Sequence, residues 1–282
     1  MLNTILTIII TIIVAPLIGG LLAGIDRILT ARMQGRIGPP LFQPFYDLFK
    51  LLGKENIVVN RVQMFYVLSS LVLMITSLVL FVLKQDLLMI IFIMAFGSMA
   101  LILGGLSVQS PYSRIGSHRE ILQMLAYEPV LIFMVVGIYL RTKSFTVQSV
   151  WEMNQPLLGY MPLIFIALLL ILTIKLRKSP FDFSTSHHGH QELVKGILTE
   201  FAGPQLALIE LTHWYELVLV LGFIALFWIT NIYVGIAIAL ASLVLEIIID
   251  NISARMTWKW MLWVTWTIGI GLCLVNIALL YR

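Results

Sequence analysis

The sequence predicts an all-α polytopic membrane protein with eight transmembrane helices plus an amphipathic interfacial helix, and three observations carry that expectation. Hydrophobic residues make up 60% of the 282 and charged residues only 11%, too little polar surface to enclose a water-soluble core. The apolar residues gather into eight continuous runs, most of them near the ~20 residues a helix needs to cross a ~30 Å hydrocarbon core. The Lys and Arg residues are sorted between alternate connections. Continuous runs favour helices, because barrel strands alternate apolar and polar positions over about ten residues.

The first run, residues 2 to 25, has no basic leading region and no small-residue cleavage site, so it reads as a retained helix and not a signal peptide. Gly20 and Gly24 within it form a G-x-x-x-G, a spacing that serves close helix packing. Residues 31 to 55 then read ARMQGRIGPPLFQPFYDLFKLLGKE. Gly35, Gly38, Pro39 and Pro40 forbid a regular helix at that turn. From Leu41 onward Leu41, Phe45, Leu48, Phe49 and Leu52 recur at helical spacing against Gln43, Asp47 and Lys50. That pattern describes a helix lying in the membrane interface. GRIGPP has neither a preceding strand nor a Lys-Ser/Thr pair, so it is no phosphate loop. Composition alone leaves the stretch open between a basic membrane-surface anchor and a docking surface for a partner.

Further runs fall at about 62 to 83, 87 to 108, 120 to 140, 161 to 176, 204 to 229, 232 to 250 and 259 to 280. With eight spans, the connections 26 to 61, 109 to 119, 175 to 203 and 250 to 259 share one face. Of the 18 Lys and Arg, only Lys84, Arg141, Lys143 and Arg282 fall on the other. The positive-inside rule puts the basic face in the cytoplasm and both termini outside. The chain reads as a single transmembrane domain over residues 1 to 282, with cytoplasmic loops at about 26 to 61 and 177 to 203. The single Cys273 excludes a disulfide framework or a Cys metal site within the chain.

Ionisable residues inside the spans are costly and are functional candidates by default. Glu128 lies in LAYEPVL, with Arg119 and Glu120 at the inner end of the same span. Glu210, His213 and Glu216 follow one another at spacings of three, so each neighbouring pair shares a helix face. Glu246 and Asp250 form an i, i+4 pair. These acids all sit in the cytoplasmic half or the middle, the arrangement of a hydrated acidic funnel whose carboxyls titrate near neutral pH. The opposing reading pairs each acid statically with Lys or Arg. The second inner loop, KLRKSPFDFSTSHHGHQELVKGILTEFAGP, holds Asp182, Glu192, Glu200, His187, His188 and His190. Its histidines lie one and two apart and do not converge on one point, which favours hydrogen bonding or docking over a metal site. The lone E-x-x-H at Glu210 and His213 lacks the second motif and the two further Glu of a di-iron bundle.

ARMQGRIGPPLFQPFYDLFKLLGKE resembles the first cytoplasmic loop of the membrane subunit that joins the two arms of respiratory complex I. The eight-span layout, LAYEPVL and SPFDFSTSHHGHQELVKGILTEFAGP extend the resemblance along nearly the whole chain. Where complex I proteins have an Asp-Arg-Val-Gly-Pro-Asn-like turn this chain has GRIGPP, and STSHHGHQE replaces an acidic Pro-Glu-Gly-Glu-like run. Together with LALIELTHWYELVLVLG, that version is similar to energy-converting membrane-bound nickel-iron hydrogenases, most closely the Ech type.

The resemblance implies a membrane-anchoring and coupling subunit with no cofactor of its own. Its nickel-iron centre and iron-sulfur clusters would sit in partners: a nickel-iron large subunit and an iron-sulfur small subunit. An antiporter-like membrane subunit and lipid would flank it, ferredoxin would act indirectly, and no nucleic acid is expected. Ferredoxin-dependent proton reduction would then be linked to H⁺ or Na⁺ translocation in the cell membrane. Glu128 and Glu200 match family acids of the buried connection. Asp182 and Glu192 match loop acids beneath the redox site, and Arg32, Arg36 and Arg119 match basic docking positions. The expected proton path is Glu120, Glu128, Asp182, Glu192, Glu200, Glu210, His213, Glu216, Glu246 and Asp250. The expected docking surface is Arg32, Arg36, Gly38, Pro39, Arg119, His187, His188 and His190. Two other readings stay open: the quinone-site subunit of a complex I-like oxidoreductase, favoured by a tail-sized opening near Phe42 and Phe45, and a passive membrane anchor.

Overall fold

The computed structural model describes residues 2–57, 59–185 and 195–281. Among them the fold is all helical, with two isolated backbone bridges and no β-strand. The elements run α1 (Leu2–Met33), α2 (Gln43–Leu52), α3 (Arg61–Val82), α4 (Leu87–Leu106), α5 (Pro111–Thr142), α6 (Val147–Trp151), α7 (Pro162–Lys175), α8 (Pro204–Ala225), α9 (Ile232–Ile252), α10 (Trp258–Val264) and α11 (Ile270–Tyr281). A π turn, Thr265–Gly269, joins α10 to α11 without a break. Among the described residues seven helical stretches are long and apolar enough to cross a membrane, and the chain is a multi-pass membrane protein.

The candidate span at 161 to 176 forms α7, which has only 14 residues. At 1.5 Å per residue it is about 21 Å long, short of a ~30 Å core. Two other helices exceed their expected spans. α1 continues through Arg27 to Arg32, and α5 begins at Pro111, so the expected loop at 109 to 119 is mostly helix. Lys and Arg stems let a helix run on past the hydrocarbon without a loop. α2 starts two residues later than the sequence pattern, with Pro44 in its first turn where a missing N–H costs nothing.

The chain divides into two compact units. One comprises Met1–Val79, Ile93–Ile121 and Asp182–Val218. Here the glycines of α1 let other chain segments reach its backbone. A Cβ on Gly20 would lie 2.5 Å from the Phe45 ring, and one on Gly19 would lie 2.6 Å from the Trp214 carbonyl. At Gly24 a Cβ would run into the Leu41 carbonyl. The G-x-x-x-G thus receives the turn and first residues of α2. Arg27 Nη1 closes the same contact at 2.6 Å from Asp47 Oδ2. In this unit the 195–203 segment packs into α4 and α5: Ser113 Oγ donates to the Gly105 carbonyl at 2.9 Å, and Gly116 leaves room for the Ile197 amide. Gly196, at φ 47°, turns against the Ser184 carbonyl, where only glycine has both the conformation and the space.

The other unit comprises Leu80–Phe92, Leu122–Phe181 and Leu219–Arg282. Its 83–87 and 143–148 connections pair through their backbones, with Leu87 N–H on the Phe145 carbonyl at 2.8 Å and Val147 N–H on the Gln85 carbonyl at 3.0 Å. Asp86 caps α4 through the amides of Leu88 and Met89. The start of α7 is buried, with Leu157, Met161 and Ile164 at most 1% exposed. The first amides of a helix lack intrahelical acceptors. Asn276 of α11, 1% exposed, supplies one: its Oδ1 accepts from Leu163 N–H at 2.9 Å and Ile164 N–H at 3.2 Å. Its Nδ2 donates to the Tyr160 carbonyl at 3.0 Å. One buried side chain therefore ties the short helix to the last one.

Candidate functional site

Three acids of the second unit meet two lysines that follow one another at the end of α7. Glu128 on α5 is within electrostatic reach of Lys175, the last residue of α7. The Lys175 ammonium also sits 3.8 Å from the centre of the buried Tyr127 ring, a cation–π contact next to that carboxyl. Past α7 the chain turns at Arg177, whose φ is 54°, and buries Lys178. Its Nζ lies 3.9 Å from Asp250 Oδ2, both side chains under 10% exposed. Ser179 N–H donates to Asp250 Oδ1 at 2.8 Å, and Met256 N–H donates to the Pro180 carbonyl at 2.6 Å. Glu246 is 1% exposed and feels both Lys178 and Asp250. Among the described residues, Glu128 Oε1 and Glu246 Oε2 are buried without a hydrogen-bond partner. Each acid group thus combines one cation with a carboxylate oxygen left over.

The first unit brings the other acids together differently. Arg119 Nη1 is 2.7 Å from Asp182 Oδ2, the two side chains 13% and 12% exposed. Ser184 Oγ donates to Glu120. The start of the second inner loop is therefore fastened to α5 by two side-chain contacts. Glu200 is half-buried in the turn after Gly196–Leu198. Glu210, His213 and Glu216 are half-buried along α8. Arg32 and Arg36 are exposed at the end of α1 beside Ile37, which is 99% exposed, while Gly38 packs on Ile28 and Ala31. At α2 the carboxyl of Asp47 is pushed up by partial burial. The hydrogen bonds from Arg27 and Gln43 and the charges of Arg27 and Lys50 outweigh that and hold it below the usual carboxylate range. His187, His188, His190 and Glu192 lie outside the described residues. Among the described residues no group of three or more His, Cys, Asp or Glu could hold a metal ion.

Arg119→Met should leave the Asp182 charge buried without its guanidinium. Removing one partner of a buried pair costs about 3–5 kcal/mol, so the purified protein should show a clearly lower Tm. An unchanged Tm would show that the pair holds nothing in place.

The sequence profile of the NADH dehydrogenase family matches residues 5–281. The chain belongs to this family. Among its relatives, Hydrogenase-4 component C of Escherichia coli is 28% identical over 90% of this chain and 88% of that protein. An NADH-quinone oxidoreductase subunit of Syntrophotalea carbinolica is 28% identical over 70% of this chain and 68% of its own length. NADH-ubiquinone oxidoreductase chain 1 of Yarrowia lipolytica is 30% identical over 70% of this chain and 63% of that protein. In fold, the chain is similar to one in the membrane-bound sulfane sulfur reductase, an archaeal respiratory membrane complex, with a TM-score of 0.89 over 99% of both chains at 23% identity.

Sequence reasoning singled out the acids of this family member but not their partners. Lys175 and Lys178 are two of several basic residues in KLRK, and only the turn at Arg177 separates their targets. Asn276 carried a usable signal, since a lone amide inside an apolar run must find a partner.

Proposed function

We propose that this chain is the membrane-anchoring and coupling subunit of an energy-converting nickel-iron hydrogenase complex of the Ech type. In this reading it links ferredoxin-dependent proton reduction on a cytoplasmic arm to H⁺ or Na⁺ translocation. What carries it is the stretch from Lys175 to Ser184. It places one lysine at Glu128, a second at Asp250 and Glu246, then Asp182 at Arg119 and Ser184 at Glu120. Glu128, Glu246 and Asp250 in one unit and Glu120 in the other each have a partner on that stretch, so a redox-driven movement of the second inner loop would act on them. Glu200, Glu210, His213 and Glu216 extend the acids of the first unit. Arg32, Arg36, Gly38 and Pro39 form the docking platform, with Arg119 and the three loop histidines. The relative at 28% identity over 90% of the chain, a hydrogenase component by name, supports the hydrogenase branch.

The proposed topology is a single transmembrane domain in the cell membrane with eight crossings. The eighth is α7, extended by its buried flanks, and α2 lies in the interface. The termini are outside and the loops at 26 to 61 and 177 to 203 are cytoplasmic. The partners are a nickel-iron large subunit, an iron-sulfur small subunit and an antiporter-like neighbour, and they hold the metal centres.

A quinone-site role is the second reading, favoured by the NADH-quinone oxidoreductase relative. Against it, the Phe45 ring occupies the seat over Gly20 and packs edge-on against Trp214 at 5.1 Å, in the region a quinone tail would need. Mass spectrometry of the detergent-purified complex decides between them. A co-purifying nickel-iron large subunit is the expected result. A complex with quinone-dependent NADH oxidation and no such subunit would overturn it.

A further inference from the structure

Only two of the ten prolines stand inside a helix beyond its first turn, Pro16 in α1 and Pro129 in α5. Each lacks the N–H that a helix would direct at the carbonyl four residues earlier, so the Ile12 and Leu125 carbonyls lose their regular donors. In a lipid environment a freed carbonyl must be satisfied from within the protein. Both are satisfied in the same way, by an aromatic side chain from a distant helix. Tyr215 Oη on α8 donates to the Ile12 carbonyl at 2.7 Å. Trp266 Nε1 donates to the Leu125 carbonyl at 3.3 Å.

The second of these braces lies next to chemistry. Pro129 directly follows Glu128, and Trp266 sits in the π turn Thr265–Gly269, a widened turn of a kind often found at functional positions. Three residues further along that turn, Gly269 faces Val130, whose Cγ2 is 3.4 Å from where a Cβ would lie. The π turn therefore bonds α5 on one side of Glu128 and lies close to it on the other. Leu125 and Trp266 are 49% and 54% exposed on two helices long and apolar enough to cross a membrane, and within hydrocarbon no water replaces a lost donor.

We infer that Trp266 is a positioning residue for Glu128: its indole N–H fixes the proline break of α5 and thereby the pose of the carboxyl toward Lys175. The functional part of this inference rests on the proposed relay. The break at Pro16 and its donor Tyr215 belong to the other compact unit from Glu128, so Tyr215→Phe supplies a matched control for the Glu128 band.

The test uses the purified complex in proteoliposomes, comparing wild type with Trp266→Phe, Tyr215→Phe and Glu128→Gln. The infrared band that Glu128→Gln removes reports the Glu128 carboxyl, protonated or ionised. In Trp266→Phe that band shifts and redox-driven pumping falls about fivefold, the equilibrium effect of losing one hydrogen bond. In Tyr215→Phe the band stays in place. An unmoved band in Trp266→Phe, wild-type pumping there, or an equal shift in Tyr215→Phe overturns the inference. Full pumping by Glu128→Gln refutes the relay separately, and the band shift alone then decides whether Trp266 positions the carboxyl.

Discussion

Glu128→Gln leaves the complex assembled and reduces redox-driven ion pumping by on the order of 10²-fold, the scale of removing a positioned proton-transfer group. Glutamine keeps the volume and a hydrogen-bonding carbonyl and loses only the ability to take up and release a proton. The site makes that loss decisive. Glu128 Oε1 is buried without a hydrogen-bond partner among the described residues, and Lys175 is the cation acting on it. A static ion pair would instead spend its carboxylate oxygens on fixed donors. Acidification followed with a pH-sensitive dye in proteoliposomes, normalised to turnover of the redox arm, gives the measurement. Pumping at the wild-type ratio would leave Glu128 as a structural acid and this chain as an anchor.

Asn276→Leu lowers the stability of the protein by about 3 kcal/mol. Two amides of α7, those of Leu163 and Ile164, lose their shared acceptor. Each unsatisfied buried group costs about 1–3 kcal/mol, and the Tyr160 carbonyl loses a donor as well. Leucine recovers part of this through apolar packing. Because α7 ends at Lys175, a loosened start is transmitted to both lysine contacts, so coupling should fall along with Tm. Thermal unfolding in detergent checks the first effect and pumping the second. A variant as stable as wild type would mean that α7 finds its acceptors elsewhere.

The membrane class and the positions of seven apolar helices were legible because hydropathy reports what the bilayer demands of each run. It does not report where a helix ends. α1 and α5 run beyond their apolar runs because Arg27, Arg32 and Arg119 lie in water or in polar contacts while the backbone stays helical. α7 stops short of a full span, and residue 276 meets the amides of its first turn and the Tyr160 carbonyl just before it. The candidate acids were legible for a similar reason, as charges inside apolar runs. Their partners were not, since Lys178 with Asp250 and Arg119 with Asp182 depend on which segments the fold brings together. The proline breaks were visible in the sequence as residues, but their donors lie 203 and 141 positions away, beyond any local pattern.

The bond between Asn276 and Leu163 joins residues 113 positions apart, and this sets an order of events during synthesis. At about 5–20 residues per second, a ribosome needs on the order of ten seconds to pass from the start of α7 to Asn276. Throughout that interval the acceptor that the first amides of α7 use in the folded chain has not yet been made. The last element made thus supplies the acceptor for the first amides of α7, and the short helix is tied in at its start only after translation of the chain is nearly complete.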